Sequence, residues 1–316
     1  MKLSSTLNDG IIQTLDRLCG SSVNTYSFKA KISDINDALN WYYSIAFKSG
    51  LNWELDDSNE TSPPIDTQSL VSGTNRYKFS SFTEKIINLI KLEILDDSGQ
   101  GLNLIPETMD NLSASFQELY LDTANTGTPT HYIKYGDFIY LRPFPNYSET
   151  DGLKAYFNRP ASKFEFVSCQ PEADDELITA VAHGLLADDT VIFEVDAGGT
   201  ISAGITADTQ YYVISTSLTA DVFKVSATKG GSSIDITSDG SGMTFLKTNG
   251  EPGITSIHHR MLARKAALTN LSYISSPKLG FLPQQVLLDG KEIESFYANR
   301  TKDKDKIFTP VRQNNK

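Results

Sequence analysis

The hydrophobic pattern changes its period more than once along these 316 residues, and that constrains the fold more than any single motif. From Ser33, apolar residues Ile35, Ala38, Leu39, Tyr42, Ile45 and Ala46 recur three and four apart, the spacing of one helical face. Ser33 or Asp34 is placed to cap that helix and Gly50 to stop it. A weaker helical spacing runs through Leu7, Ile11, Ile12, Leu15 and Leu18. From Leu51 to Arg159 the period drops to two. Arg76–Phe79, Leu89–Ile94, Phe138–Arg142 and Leu153–Asn158 read as strands, split by turn residues at Asp97–Gly99, Gly136-Asp137 and Asp151-Gly152. A short helix is expected between Ile105 and Tyr120, after Pro106.

A second shift comes at residues 172–248, where Gly, Ser, Thr, Ala and Asp dominate. Thr190–Val195, Gln210–Ile214 and Val222–Val225 read as short strands between closely spaced turns, the pattern of a small all-β sandwich or barrel. Helix returns after Pro252-Gly253, with Thr255 as cap and a stripe from Ile257 to Leu271. A last helix is expected from about Gln284 to Arg300, with Val286, Leu287, Ile293, Phe296 and Tyr297 on one side and Gly290 as a local weakness. The expected class is α+β. Residues 1–50 and 252–300 form a helical portion, 51–166 an antiparallel β-rich domain, 172–248 an inserted all-β module and 301–316 a flexible polar tail.

Charge narrows the function classes. Twenty-eight basic residues face 39 acidic ones, a net charge of −11, which argues against broad nonspecific grip on nucleic acid. No apolar stretch approaches the length of a membrane span, and MKLSSTLNDG lacks the apolar core of a signal peptide. The expectation is a soluble acidic protein made inside the cell, with no membrane partner.

Chemistry-bearing residues are sparse. His131, His183, His258 and His259 form no metal-ligand spacing, and each is expected at the surface or capping a turn. His258 and His259 are adjacent, so on a helix they point about 100° apart. The aspartate pairs Asp56-Asp57, Asp96-Asp97, Asp174-Asp175 and Asp188-Asp189 read as turn formers rather than catalytic acids. Gly198-Gly199 and Gly230-Gly231 belong to hairpin-like turns, and no phosphate loop, nucleophile elbow or dinucleotide fingerprint occurs. Cys19 and Cys169 give neither a disulfide framework nor a zinc pattern. No catalytic, cofactor-binding or metal residue is expected, and no cofactor.

Four segments, in order, resemble the head-to-tail adaptor (connector, or neck) proteins of tailed bacteriophages. Leu51-Asn-Trp-Glu-Leu55 with Thr67-Gln-Ser-Leu-Val-Ser-Gly-Thr-Asn-Arg-Tyr-Lys-Phe79 is similar to the family's tryptophan strand and the hairpin after it. Gly127-Thr-Pro-Thr-His-Tyr132 followed by Gly136-Asp-Phe-Ile-Tyr-Leu-Arg-Pro-Phe-Pro145 is the most specific match. Pro252-Gly-Ile254 leads into an Ala-rich helix, and Phe296-Tyr-Ala-Asn-Arg300 with Thr301-Lys-Asp-Lys-Asp305 is similar to the end of the family's last helix. The 172–248 insert departs from the simplest adaptors and looks like small β-modules that decorate phage tail and virion proteins.

The resemblance implies assembly rather than catalysis. Such proteins form a ring at the head–tail junction, usually about twelve-fold, built by one heterologous interface repeated around a closing rotation. The implied partners are the portal protein, neighbouring copies, the next neck or tail protein, and DNA that passes without sequence-specific binding. The segment from Arg300 to Lys316 resembles the tail that docks on the portal, so Arg300, Lys302, Lys304, Lys306 and Phe308 are the implied portal contacts. Two other classes stay open. One is a tail or receptor-recognition protein with a carbohydrate-binding β-module. It requires an exposed aromatic in a groove, and of Tyr211 and Tyr212 strand alternation buries one. The other is a virion-associated glycan hydrolase, which requires two converging carboxylates.

Overall fold

The computed structural model describes residues 1–4, 10–20, 26–49, 64–83, 85–159 and 163–302, with the side chains of 300–302 left out of the description. Among the described residues helices hold about 30% and strands about 31%, an α+β protein rich in antiparallel sheet. It folds as two compact units, Met1–Ser49 together with Ser162–Lys316, and Gly50–Ala161.

The chain begins with α1 (Ile11–Cys19), which buries Ile11, Ile12 and Leu15 and ends at Gly20 in the left-handed conformation. Helix α2 (Phe28–Lys48) starts five residues earlier than its apolar stripe predicts. Ser27 rather than Ser33 is its cap, its hydroxyl accepting from the Ala30 N–H, and Phe28 adds a buried turn ahead of the stripe.

The second unit is a sandwich. Its strands are β1 (Ile65–Leu70), β2 (Arg76–Lys78), β3 (Asn88–Leu95), β4 (Gly101–Asn103) and β5 (Ile105–Glu107), then α3 (Phe116–Tyr120). They continue as β6 (Thr126–Gly127), β7 (His131–Tyr135), β8 (Phe138–Arg142), β9 (Phe144–Pro145) and β10 (Glu149–Asn158). One sheet has the order β1-β10-β3-β4, another β2-β8-β7-β5. Leu92, Ile94, Leu153 and Phe157 from the first meet Tyr77, Tyr132, Ile139 and Leu141 from the second in one core. Gly136, at φ +58°, lets a two-residue turn join β7 to β8. The pairing is not purely antiparallel, because β5 with β7 and β6 with β9 run parallel. The short helix falls late in its predicted window, where Ser115 and Glu118 form a capping box.

Back in the first unit, β11 (Val167–Glu172), β12 (Leu177–Thr179), β13 (Thr190–Thr200), β14 (Gln210–Ile214), β15 (Val222–Ser226) and β16 (Ser241–Lys247) close into a barrel. Closure removes every free edge, as an isolated small β-module needs. Phe193, Phe223 and Phe245 fill its interior together with Ile178, Val191 and Val213. The chain then enters α4 (His259–Tyr273) through a 3-10 turn at Ser256–His258, and ends the described region in α5 (Leu282–Lys302). Thr255 precedes that turn without a side-chain capping bond. Helix α2 packs on both α4 and α5. Barrel and helices share this unit: Lys29 bonds the Val195 carbonyl at 2.8 Å, and the Asn36 side chain makes a two-way bond with the backbone of Phe164.

Candidate functional site

Three features of the first unit bring polar or apolar side chains together at a defined place. One is a polar joint where α2, α4 and α5 meet. The Tyr42 hydroxyl lies 2.7 Å from His258 Nδ1 and 2.8 Å from the Tyr297 hydroxyl, all three side chains being buried. Phe296 packs T-shaped against the His258 ring, their centroids 4.9 Å apart. His259 Nε2 donates to the Ile254 carbonyl at 2.8 Å, and its Nδ1 faces the N-terminal amine at 2.7 Å. Both histidines are therefore core residues, which corrects the expectation that they sit at the surface. Burial holds both below the ordinary histidine range, so both are neutral in the fold. Beside them Arg264 grips Asp289 with two nitrogens, at 2.7 and 2.5 Å.

A second feature is an open apolar groove of about 510 Å³ between α2 and α5. Trp41, Ile45, Val286 and Leu287 wall it, with Lys48, Lys291 and Glu294 at the rim. Val286, Ile293 and Tyr297 are buried as their spacing predicts, whereas Leu287 is 54% exposed and lines the open side. On α5 it follows Val286 by one residue, so it turns away from the buried stripe.

The third feature is a cleft of about 430 Å³ with mixed polar and apolar walls, between α1, the start of α2 and the outer wall of β13 and β14. Tyr211 and Val213 point into the barrel, so Gln210 and Tyr212 point out into this cleft. Across it stand Gln13 and Asp16 of α1 and the buried Lys31 of α2. Lys31 Nζ pairs with Asp16 at 2.8 Å, and the Gln13 amide donates to the Ser4 hydroxyl at 2.9 Å. Asp208 lies at the edge and shares a hydrogen bond with the half-buried Glu194. Burial first, then this bond to Asp208, pushes Glu194 up to about 7.

Arg300 and Lys302 fall in the last turn of α5, so the helix runs two residues past its expected end, while Lys304, Lys306 and Phe308 lie outside the described residues. His183 caps a turn, its Nδ1 accepting from the Leu185 N–H, and His131 bonds the Thr130 hydroxyl. Asp96 accepts from the Ser98 and Gln100 N–H groups in its turn. Asp189 departs from the solvated turn former expected of it. It is buried, and it bonds Lys247, Asn249 and the Leu186 N–H. Asp56-Asp57 lies outside the described residues. Burial raises the Cys19 thiol to about 11 and the Cys169 thiol to about 12, so neither is a thiolate at neutral pH. Among the described residues no group of three or more His, Cys, Asp or Glu is arranged to hold a metal, and no helix is long and apolar enough to cross a membrane.

Neither the joint nor the cleft leaves a mark in the sequence, because their partners are far apart along the chain. The one signal was the outward Tyr of the Tyr211-Tyr212 pair. Scans against protein-family models and against curated proteins find no match to this chain.

Proposed function

We propose that the chain is a structural virion protein that forms an adaptor ring between the portal and the tail of a tailed bacteriophage. The ring extends the DNA channel and gives the tail a platform. The observation that carries this reading is the order of the four resembling segments, above all Gly127–Tyr132 with Gly136–Pro145. In the fold that pair of segments runs from β6 through β9, so its glycines and prolines serve strand ends and turns. The exposed apolar side chains of Tyr273, Phe281, Leu287 and Leu288 suit a protein whose surface is covered on assembly. On this reading the partners are the portal protein, neighbouring copies and the next neck or tail protein. The end of α5 and the residues after it make the portal contact. The role is assembly, at the head–tail junction, with no cofactor.

Quantitative mass spectrometry of purified particles tests it. About twelve copies per particle support a single connector ring. Absence from the particle rejects a virion role, and three or six copies move the chain to a tail tip or a receptor-binding spike.

A further inference from the structure

We propose that the mixed cleft between α1 and the outer wall of the barrel binds a neutral saccharide. This inference does not rest on the ring reading, because it uses only the geometry of one unit. A sugar ring offers two chemistries at once: hydroxyls that each donate and accept, and a C–H face that stacks on an aromatic ring. A site for it therefore needs planar polar side chains beside an aromatic, in a concavity of a few hundred Å³.

The cleft supplies both. Its volume is about 430 Å³, and Tyr212 presents a half-buried ring from β14. Gln210, two residues earlier, stands on the same face and offers a carboxamide that both donates and accepts. Asp208 supplies a carboxylate acceptor from one side, and the Asp16–Lys31 ion pair lines the other. Lys31 is 3% exposed, so its charge is held in place rather than swept through solvent. Polar groups at fixed positions discriminate hydroxyls, because a misplaced hydroxyl leaves its partner unpaired.

Charge selects the ligand class. Lys31 and Asp16 neutralise each other at 2.8 Å, leaving no net cation for a phosphate or a carboxylate. Asp208 stands beside the half-buried Glu194, whose carboxyl burial and this neighbour push up. The cleft carries no strong sign and sets its polar groups beside Ile12, Phe28 and Ile192, which fits an uncharged ligand with hydroxyls and a C–H face.

Isothermal titration calorimetry of the intact protein with glucose, galactose, N-acetylglucosamine and maltose tests the proposal, with inorganic phosphate as a further titrant. At least one sugar is expected to bind with a dissociation constant on the order of millimolar. Tyr212→Ala and Asp208→Asn are each expected to weaken it about tenfold or more. Asp208 is exposed, so its substitution leaves the fold intact and stands as the decisive variant if Tyr212→Ala unfolds. Silence with all four sugars overturns the proposal. So does unchanged sugar affinity in Asp208→Asn, or binding of phosphate in place of sugar.

Discussion

Tyr42 and His258 lie 216 positions apart in sequence and 2.7 Å apart in space, hydroxyl to Nδ1. That contact, extended 2.8 Å to the Tyr297 hydroxyl, joins the helix before the second unit to the two helices after the barrel. A hydroxyl has one proton and two lone pairs, so Tyr42 can satisfy both partners at once. Each of the three groups is buried, so a partner removed takes a hydrogen bond out of the interior.

Tyr42→Phe keeps the ring and deletes the shared hydroxyl. The fold then loses about 1–3 kcal/mol, the cost of leaving buried polar groups unpaired. Chemical denaturation should show this as a lower midpoint at unchanged slope. Equal midpoints for wild type and variant would show that the joint contributes nothing.

Acid should loosen the same joint. Burial depresses His258 and His259 below the ordinary value of 6.5, so the unfolded chain takes up protons at a higher pH than the fold does. Stability attributable to the two imidazoles is complete above about pH 6.5 and declines as the pH falls further. The check is the double variant His258→Gln with His259→Gln. Its denaturation midpoint, compared with wild type at each pH, should lose ground above about pH 6.5 and recover it on acidification. A constant difference across that range would contradict the assignment.

Arg264 and Asp289 form a pair in which the carboxylate is 5% exposed. Replacing Arg264 with Ala strands that charge and should cost about 3–5 kcal/mol, whereas Asp289→Asn with Arg264→Gln together should cost much less. A double-mutant cycle read by urea denaturation measures the difference.

Two glycines predict opposite signs. A Cβ at Gly290 would meet Ile45 at 3.4 Å and Trp41 at 3.7 Å, ordinary contact distances on a helix interior position. Gly290→Ala should stabilise by about 0.5–1 kcal/mol through helix propensity. At Gly204 the φ is +98°, and a Cβ would fall 2.0 Å from the Asp235 carbonyl oxygen. Gly204→Ala should destabilise the barrel, and thermal melting of the two variants should move in opposite directions.

How much of this was legible beforehand follows from the range of the interactions. Gln210–Ile214 and Phe138–Arg142 appear as strands at the predicted residues because alternation is a local property. The stripe places the start of α2 too late, because Phe28 lies outside it and is buried by Phe166, far along the chain, at a ring distance of 6.1 Å. His258 and His259 looked like surface residues because nothing in their neighbourhood announces Tyr42 or the N-terminal amine. Asp16 with Lys31 gave no signal either, since a charge pair fifteen residues apart means nothing until α1 and α2 are brought together. What could be read was the alternation at Tyr211-Tyr212, which required one of the two rings to face outward.

The carboxyl pair at the edge of the cleft gives the last prediction, and it runs opposite to the histidines. Glu194 is raised from 4.5 to about 7 by burial and by its bond to Asp208, so in the fold it keeps a proton that the unfolded chain has already lost. Between those values the native state binds more protons, and raising the pH therefore weakens it; above about 7 the loss is complete. Glu194→Gln preserves a donor toward Asp208 and has no proton to lose. Relative to wild type it should be neutral near pH 4 and more stable near about pH 8, the gain growing across the interval between. Because the histidines act in the other direction over part of the same range, only the difference between variant and wild type at each pH isolates the pair. Asp208→Asn should also bring Glu194 back toward the ordinary carboxylate range, which carbon-13 chemical shifts of the Glu194 carboxyl report directly. A Glu194 titration midpoint that stays unchanged in Asp208→Asn would show that burial alone sets it, and that the shared proton does not exist.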